Sequence, residues 1–159
     1  MRELCLAAVE AGREGNYPVA SAIISLKGPR FIGTNKSFFP KFKSSGHSEM
    51  VALDAYEDSS ENLPDLTLMS TLEPCLMCTA RIAMSKVTRV IYLAKDASGG
   101  AIADLSLLPP DFSKSLSKIR FDEFRASKDL SEIGKCLHEI GEEIWQSTYS
   151  KTREEVSRT

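Results

Sequence analysis

Two short motifs, with 24 residues between Glu49 and Pro74, constrain this 159-residue chain more than anything else in it. His47-Ser48-Glu49 comes first and Pro74-Cys75-Leu76-Met77-Cys78 follows. Zinc takes nitrogen and sulfur ligands in a tetrahedron, and a catalytic site uses three protein ligands and leaves the fourth position to water. His47, Cys75 and Cys78 make three. To bring them together the intervening chain must finish a helix, cross a loop, lay down a strand and open a second helix, which dictates a layered α/β architecture. A Cys-x-x-Cys at the opening of a helix turns both sulfurs toward one point, where the first-turn amides favour thiolates. Glu49, two residues beyond His47, is left off the metal. Water held by zinc has a pKa of about 7, and Glu49 is the carboxylate placed to carry its proton.

A Cys-x-x-Cys alone is equally the mark of a redox pair or of half a structural zinc site. The remaining candidates for a fourth ligand are His138, Cys5 and Cys136, all far away in sequence. Those three are assigned to the core or the surface, which leaves the open, three-ligand site.

His-x-Glu followed by Pro-Cys-x-x-Cys is the signature of the zinc nucleobase deaminases. The chain resembles the cytidine/deoxycytidylate deaminase superfamily, within it the branch of tRNA adenosine, guanine and cytosine deaminases. The likeness runs from Pro18 through about Ala101. In it Pro18-Val19 resembles the first strand, Gly33-Thr34-Asn35-Lys36 the end of the second, and the segments around His47 and Cys75 the two zinc helices. The resemblance implies a three-layer α/β/α cytidine deaminase-like fold with a central mixed sheet. It also implies one Zn2+ per chain on His47, Cys75 and Cys78, Glu49 as the catalytic proton carrier, Asn35 as a contact to the bound base or sugar, and a homodimer. Ala20 stands where the family usually has Gly, and Ser48 where it has Ala. Beyond about residue 105 no match extends, so substrate choice is carried less well than chemistry.

A chain of this length buries roughly 70% of its unfolded surface, enough for one domain over residues 1–150 with a frayed polar tail at 151–159. Four cysteines, two of them in the motif, give no disulfide framework. With no secretory run at the N-terminus, the expectation is a cytoplasmic protein. No stretch approaches the roughly 20 apolar residues that span a bilayer, so no membrane partner is expected.

Hydrophobic periodicity predicts a helix over Leu4–Ala11, left at Gly12, Gly15 and Asn16. A hairpin follows, with Val19–Leu26 and Phe31–Thr34 joined by a turn at Lys27-Gly28-Pro29-Arg30. Further elements are a helix over Ser48–Tyr56, a strand over Leu66–Thr71, a helix from about Cys75 and a strand over Val87–Ala94. Ile102–Leu108 reads as a short helix stopped by Pro109-Pro110. Asp129–Tyr149 reads as a long amphipathic helix with Asp129 and Glu132 as a capping box. Its stripe of Leu130, Ile133, Leu137, Ile140, Ile144 and Trp145 is assigned to the core. The rival assignment makes Trp145 or Tyr149 a stacking lid over the pocket.

Lys27, Arg30, Lys36, Lys41 and Lys43 cluster between Glu14 and Glu49, interleaved with Phe38, Phe39 and Phe42. Such a patch suits an RNA backbone and stacked bases. The simpler expectation is a solvated loop whose phenylalanines plug the core or a subunit interface, because the net charge of −2 is unlike that of a general polynucleotide binder. Ala94-Lys95-Asp96-Ala97 with Gly99-Gly100 resembles a stretch of the tRNA adenosine deaminases and points to a purine-type pocket. The expected partner is therefore a small-molecule nucleobase or nucleoside, a purine such as guanine favoured, deaminated with release of ammonia. The alternatives are adenosine in tRNA and a silent zinc-stabilised module that binds nucleic acid or nucleotide.

Overall fold

The computed structural model describes residues 1–26, 30–101 and 108–156, with side chains described through residue 148. The expected turn at 27–29, most of the helix expected at 102–108, the Tyr149 side chain and residues 157–159 lie outside the described residues.

The elements in order are α1 (Arg2–Arg13), β1 (Ala20–Ile24), β2 (Phe31–Thr34), α2 (Ser48–Glu57), β3 (Leu66–Leu72), α3 (Leu76–Met84), β4 (Val87–Ala94), α4 (Pro110–Leu116), β5 (Arg120–Glu123) and α5 (Lys128–Val156). The strands form one sheet in the order β2-β1-β3-β4-β5. β1 pairs antiparallel with both β2 and β3, while β3, β4 and β5 run parallel. The sheet is mixed, as the resemblance implied.

Alternation along the strands sorts the core into two faces, since successive side chains point to opposite sides. Ile23, Leu66, Leu68 and Val90 pack with Leu53 of α2 and Ile82 of α3. Ala20, Ala22 and Leu93 pack with Leu4 and Ala8 of α1 and Leu130 and Leu137 of α5. The result is three layers. Gly33 lets β2 pass directly beneath α2: a Cβ there would collide with the Ser48 carbonyl. Arg81 on α3 reaches Asp54 at 2.6 Å and Glu57 at 2.7 Å on α2, tying the two helices that carry the motifs.

The C-terminal third departs from expectation. Pro109 and Pro110 begin a helix, with Pro109 at the N-cap and Pro110 in the first turn of α4. Proline fits there because the first-turn amides have no intrahelical acceptor. β5 is a strand the sequence pattern did not suggest. α5 begins at Lys128, so Asp129 lies within its first turn rather than at its N-cap, and the helix continues to Val156, past Tyr149. Its buried line is Leu130, Gly134, Leu137 and Gly141. Ile133 and Ile140, assigned to the core from the stripe, are 45% and 43% exposed. Two glycines occupy buried positions that a hydrophobic pattern assigns to large side chains, and this rotates the seam. Among the described residues, no helix is long and apolar enough to cross a membrane.

Candidate metal centre and the cavity above it

His47 caps the N-terminus of α2 and Cys75 that of α3, both in extended backbone, so two helix N-termini converge on one point. Cys78 sits in the first turn of α3. The ligand atoms of His47, Cys75 and Cys78 all lie within 4.8 Å of one another. His47 Nδ1 is 3.5 Å from Cys75 Sγ and 3.6 Å from Cys78 Sγ. Zinc bonds of about 2.3 Å to sulfur and about 2.0–2.1 Å to nitrogen, at tetrahedral angles, require a sulfur–nitrogen separation of about 3.6 Å. The donor set and its spacing fit zinc.

The electrostatics agree with a cation site. Cys75 is pushed down to about 4, first by the hydrogen bond from Cys78 and also by the bond to His47, against the opposing effect of burial. Cys78, which gives that hydrogen bond, is raised, by the bond and then by its own burial. The two sulfurs thus share one proton, which metal binding displaces. His47 is raised, chiefly by its hydrogen bond to Cys75.

Glu49, in the first turn of α2, is 4% exposed and offers no ligand atom to the three-residue cluster. Burial raises its pKa above the usual carboxylate range. Ser48 Oγ donates to Glu49 Oε2 at 3.0 Å, and Ser21 Oγ lies 2.7 Å from Ser48 Oγ and 3.0 Å from Ser70 Oγ. The serine that stands where the family has alanine therefore joins Glu49 to a buried line of hydroxyls running into the sheet.

A cavity of about 460 Å³ opens above these groups. His47, Glu49 and Cys75 line it, as does Asn35. Asn35 Oδ1 accepts the Ser37 N–H at 2.9 Å, which leaves its amide nitrogen to offer the cavity. The turn-forming and pocket-facing roles are thus compatible. Loop 37–46 is held from beneath by buried Asn16, whose Oδ1 accepts the N–H groups of Phe38 and Phe39 at 2.9 Å each. Phe38 and Phe42 line the mouth with Trp145, whose ring centroid is 5.9 Å from that of Phe38. Trp145, 39% exposed, is a wall of the cavity and not a core residue, and Phe39 and Phe42, 56% and 53% exposed, plug no core.

The remaining wall is acidic. Glu73, Asp96 and Glu142 line it with Tyr17, and among the described lining residues there is no lysine or arginine. Lys36, Lys41 and Lys43 are exposed on the loop outside, and Arg30 pairs with Glu3 at 2.7 Å, away from the mouth. Cys5 is buried in the core and Cys136 is exposed; both are free thiols. Tyr17, Glu142 and Asn16 were not singled out for the site by the sequence. Asn16 carried only a helix-exit signal, and Glu142 only that of a polar residue on an amphipathic helix.

Comparison with known proteins agrees with this geometry. Residues 1–94 match the model of the cytidine and deoxycytidylate deaminase zinc-binding region. The tRNA-specific adenosine deaminase of Rickettsia bellii is 33% identical over 105 residues, covering 64% of this chain and 72% of that protein. Among solved structures, one from a study of A-to-I editing by tRNA:A34 deaminases superposes with a TM-score of 0.63 at 24% identity, over 77% of this chain and 95% of that one. A guanine deaminase from Nitrosomonas europaea superposes with a TM-score of 0.61 at 19% identity, over 86% and 79%.

Proposed function

The chain belongs to the cytidine and deoxycytidylate deaminase family of zinc-dependent hydrolases, and on that premise we propose that it removes the exocyclic amine of a free nucleobase or nucleoside, a purine such as guanine by preference. Water adds to the ring carbon, the C–N bond to the amine breaks, and ammonia leaves as the carbon becomes a carbonyl. His47, Cys75 and Cys78 would hold the zinc, which would supply the Lewis acidity for making water nucleophilic near neutral pH. Glu49 takes one proton from the attacking water and delivers it to the ring nitrogen, then takes the second from the hydroxyl now on the ring carbon and delivers it to the departing amine. Its raised pKa suits the return step, since a carboxyl that holds its proton more firmly is a better acid partner near neutrality. Asn35 contributes an amide donor to the bound ring, and Phe38, Phe42 and Trp145 give it apolar faces to lie against.

The observation that carries the small-molecule reading is the acidic wall. Carboxylates at a mouth whose described lining holds no lysine or arginine repel a phosphodiester backbone and attract amino and imino donors. A second reading, adenosine in tRNA, is favoured by the R. bellii relative and by exposed Phe39, Phe42, Lys41 and Lys43 on the loop beside the mouth. Zinc-loaded protein incubated with guanine, adenine, cytosine, their nucleosides and an anticodon stem-loop separates the two. Ammonia from a base or nucleoside is expected, inosine from the stem-loop alone would overturn the preference, and silence on every substrate would leave a binding module.

A further inference from the structure

The cavity carries one carboxylate that this chemistry does not use. Glu142 stands one helical turn before Trp145 on α5 and faces the same cavity as His47 and Glu49. Tyr17 donates its hydroxyl proton to Glu142 Oε1 at 2.7 Å, and His138 Nδ1 lies 2.9 Å from the same oxygen of Tyr17. A phenol has a single proton to give, so with Glu142 taking it the phenol oxygen accepts from the Nδ1–H of His138. Burial, and then the bond to Glu142, raise the Tyr17 pKa, which keeps the hydroxyl a donor. The Tyr17 ring lies in a notch left by buried Gly141, where a Cβ would collide with the ring. Glu142 is therefore held by a packed clamp and is not a free surface side chain.

One oxygen of each neighbouring carboxylate is engaged by backbone. Asp96 Oδ1 accepts the N–H groups of Ser98 and Gly99 at 3.0 and 2.7 Å, and Glu73 Oε2 accepts that of Asp96 at 3.3 Å. Among the described residues, no hydrogen bond is donated to Glu142 Oε2. We propose, building on the free-base reading above, that Glu142 Oε2 accepts the ring N–H that a free nucleobase carries at the nitrogen where a nucleoside carries its sugar, and so selects bases over nucleosides.

The topology of the cavity supports that assignment. A reacting amine must point to the floor, beside His47 and Glu49, which turns the opposite side of the ring toward the mouth, where Trp145 and Glu142 stand. Free guanine, adenine and cytosine all present a proton at that nitrogen, and glycosylation removes it. The rival donors are ribose hydroxyls, which a nucleoside presents in place of that N–H, and the effect of Glu142 variants on the nucleoside rate separates the two.

The test compares kcat/KM for guanine with guanosine, adenine with adenosine and cytosine with cytidine, in the zinc-loaded full chain and its Glu142→Leu and Tyr17→Phe variants. Zinc content and melting temperature of each variant report folding. Losing a hydrogen bond to a charged acceptor lowers the base-to-nucleoside ratio about 10- to 100-fold. That fall is expected for Glu142→Leu, with a smaller one for Tyr17→Phe and partial recovery in Glu142→Gln, which keeps an acceptor oxygen. Calorimetric Kd values for the bases in the Glu49→Ala background should weaken in the same order. Base turnover with a ratio and Kd unmoved by Glu142→Leu would overturn this inference alone. A nucleoside rate that falls more than the base rate would assign Glu142 to the ribose, and turnover confined to the stem-loop would remove the free-base reading itself.

Discussion

At the residue scale, the division of labour between ligands and proton carrier makes sharp predictions. Glu49 lies beside the three donors without joining them, so Glu49→Ala should keep its zinc and lose turnover by about 10³-fold or more, toward the upper end of what general acid–base catalysis contributes. Metal content and kcat measured on one preparation test this, and a rate within tenfold of the parent would assign the proton to another group. Ser48 tunes the same carboxylate. Its hydroxyl donates to Glu49 Oε2 and so favours the ionised form, while burial raises the pKa and wins. Removing the donor in Ser48→Ala leaves burial less opposed, so the acidic limb of the kcat/KM profile should move to higher pH. A limb that stays put or moves down would mean that the hydroxyl line through Ser21 and Ser70 does not reach the proton carrier. Ser37 is a contrary case: it is 5% exposed and its Oγ finds no partner among the described residues. A buried hydroxyl without a hydrogen bond costs about 1–3 kcal/mol, so Ser37→Ala should leave the melting temperature unchanged or raise it, and a clear loss of stability would reveal a partner.

At the scale of elements, what the sequence made legible was what repeats with a period. α1, β2, α2 and β4 lie where alternation and helical spacing put them, and Val87–Ala94 agrees at both ends. α1 packs one face against the core and leaves the other to solvent, and β4, covered on both faces, reads as a nearly continuous apolar run, so in each the pattern reports burial. α5 breaks that relation because Gly134 and Gly141 lie in its buried line, and glycine adds nothing to a hydrophobic pattern. The reason for glycine is on another element: the Tyr17 ring fills the space a side chain at Gly141 would take. Gly141→Ala should therefore destabilise by about 1–3 kcal/mol, the usual cost of forcing a methyl into a packed contact, although alanine is the better helix former. Denaturant titration measures it, and a gain in stability would mean that Tyr17 can move aside freely. β5 escaped notice for a related reason. Arg120–Glu123 is a four-residue edge strand, Arg-Phe-Asp-Glu, with no fully buried position, held by pairing to β4 and by ion pairs from Arg89 and Arg120 to Asp122.

At the scale of the whole molecule, the metal centre is where the two halves of the fold meet. The ligands were legible because zinc chemistry restricts residue type and spacing, and Asp96 was legible through the stretch that points to a purine-type pocket, whereas Tyr17 and Glu142 were not, because they come from α1's exit and from α5 and only folding brings them together. α2 and α3 meet through Leu53 and Ile82 in the core, through the metal donors, and through the Arg81 ion pairs, the last being half-exposed and individually weak. Two helix N-termini aimed at one point also bring two thiols, an imidazole and a carboxyl close together, an arrangement that a cation stabilises. A ligand that binds the folded state alone adds about 2.7 kcal/mol at a free concentration a hundred times its Kd. At about 2–4 °C per kcal/mol for a chain of this size, chelation should lower the melting temperature by roughly 5–10 °C, reversed by added zinc. Cys75→Ala, with a ligand gone, should melt near the chelated parent and respond little to either treatment. Calorimetry with and without chelator decides it: a parent whose melting ignores chelation while metal analysis shows the zinc removed would mean that α2 and α3 are held together without the ion, and that its place in this fold is chemical alone.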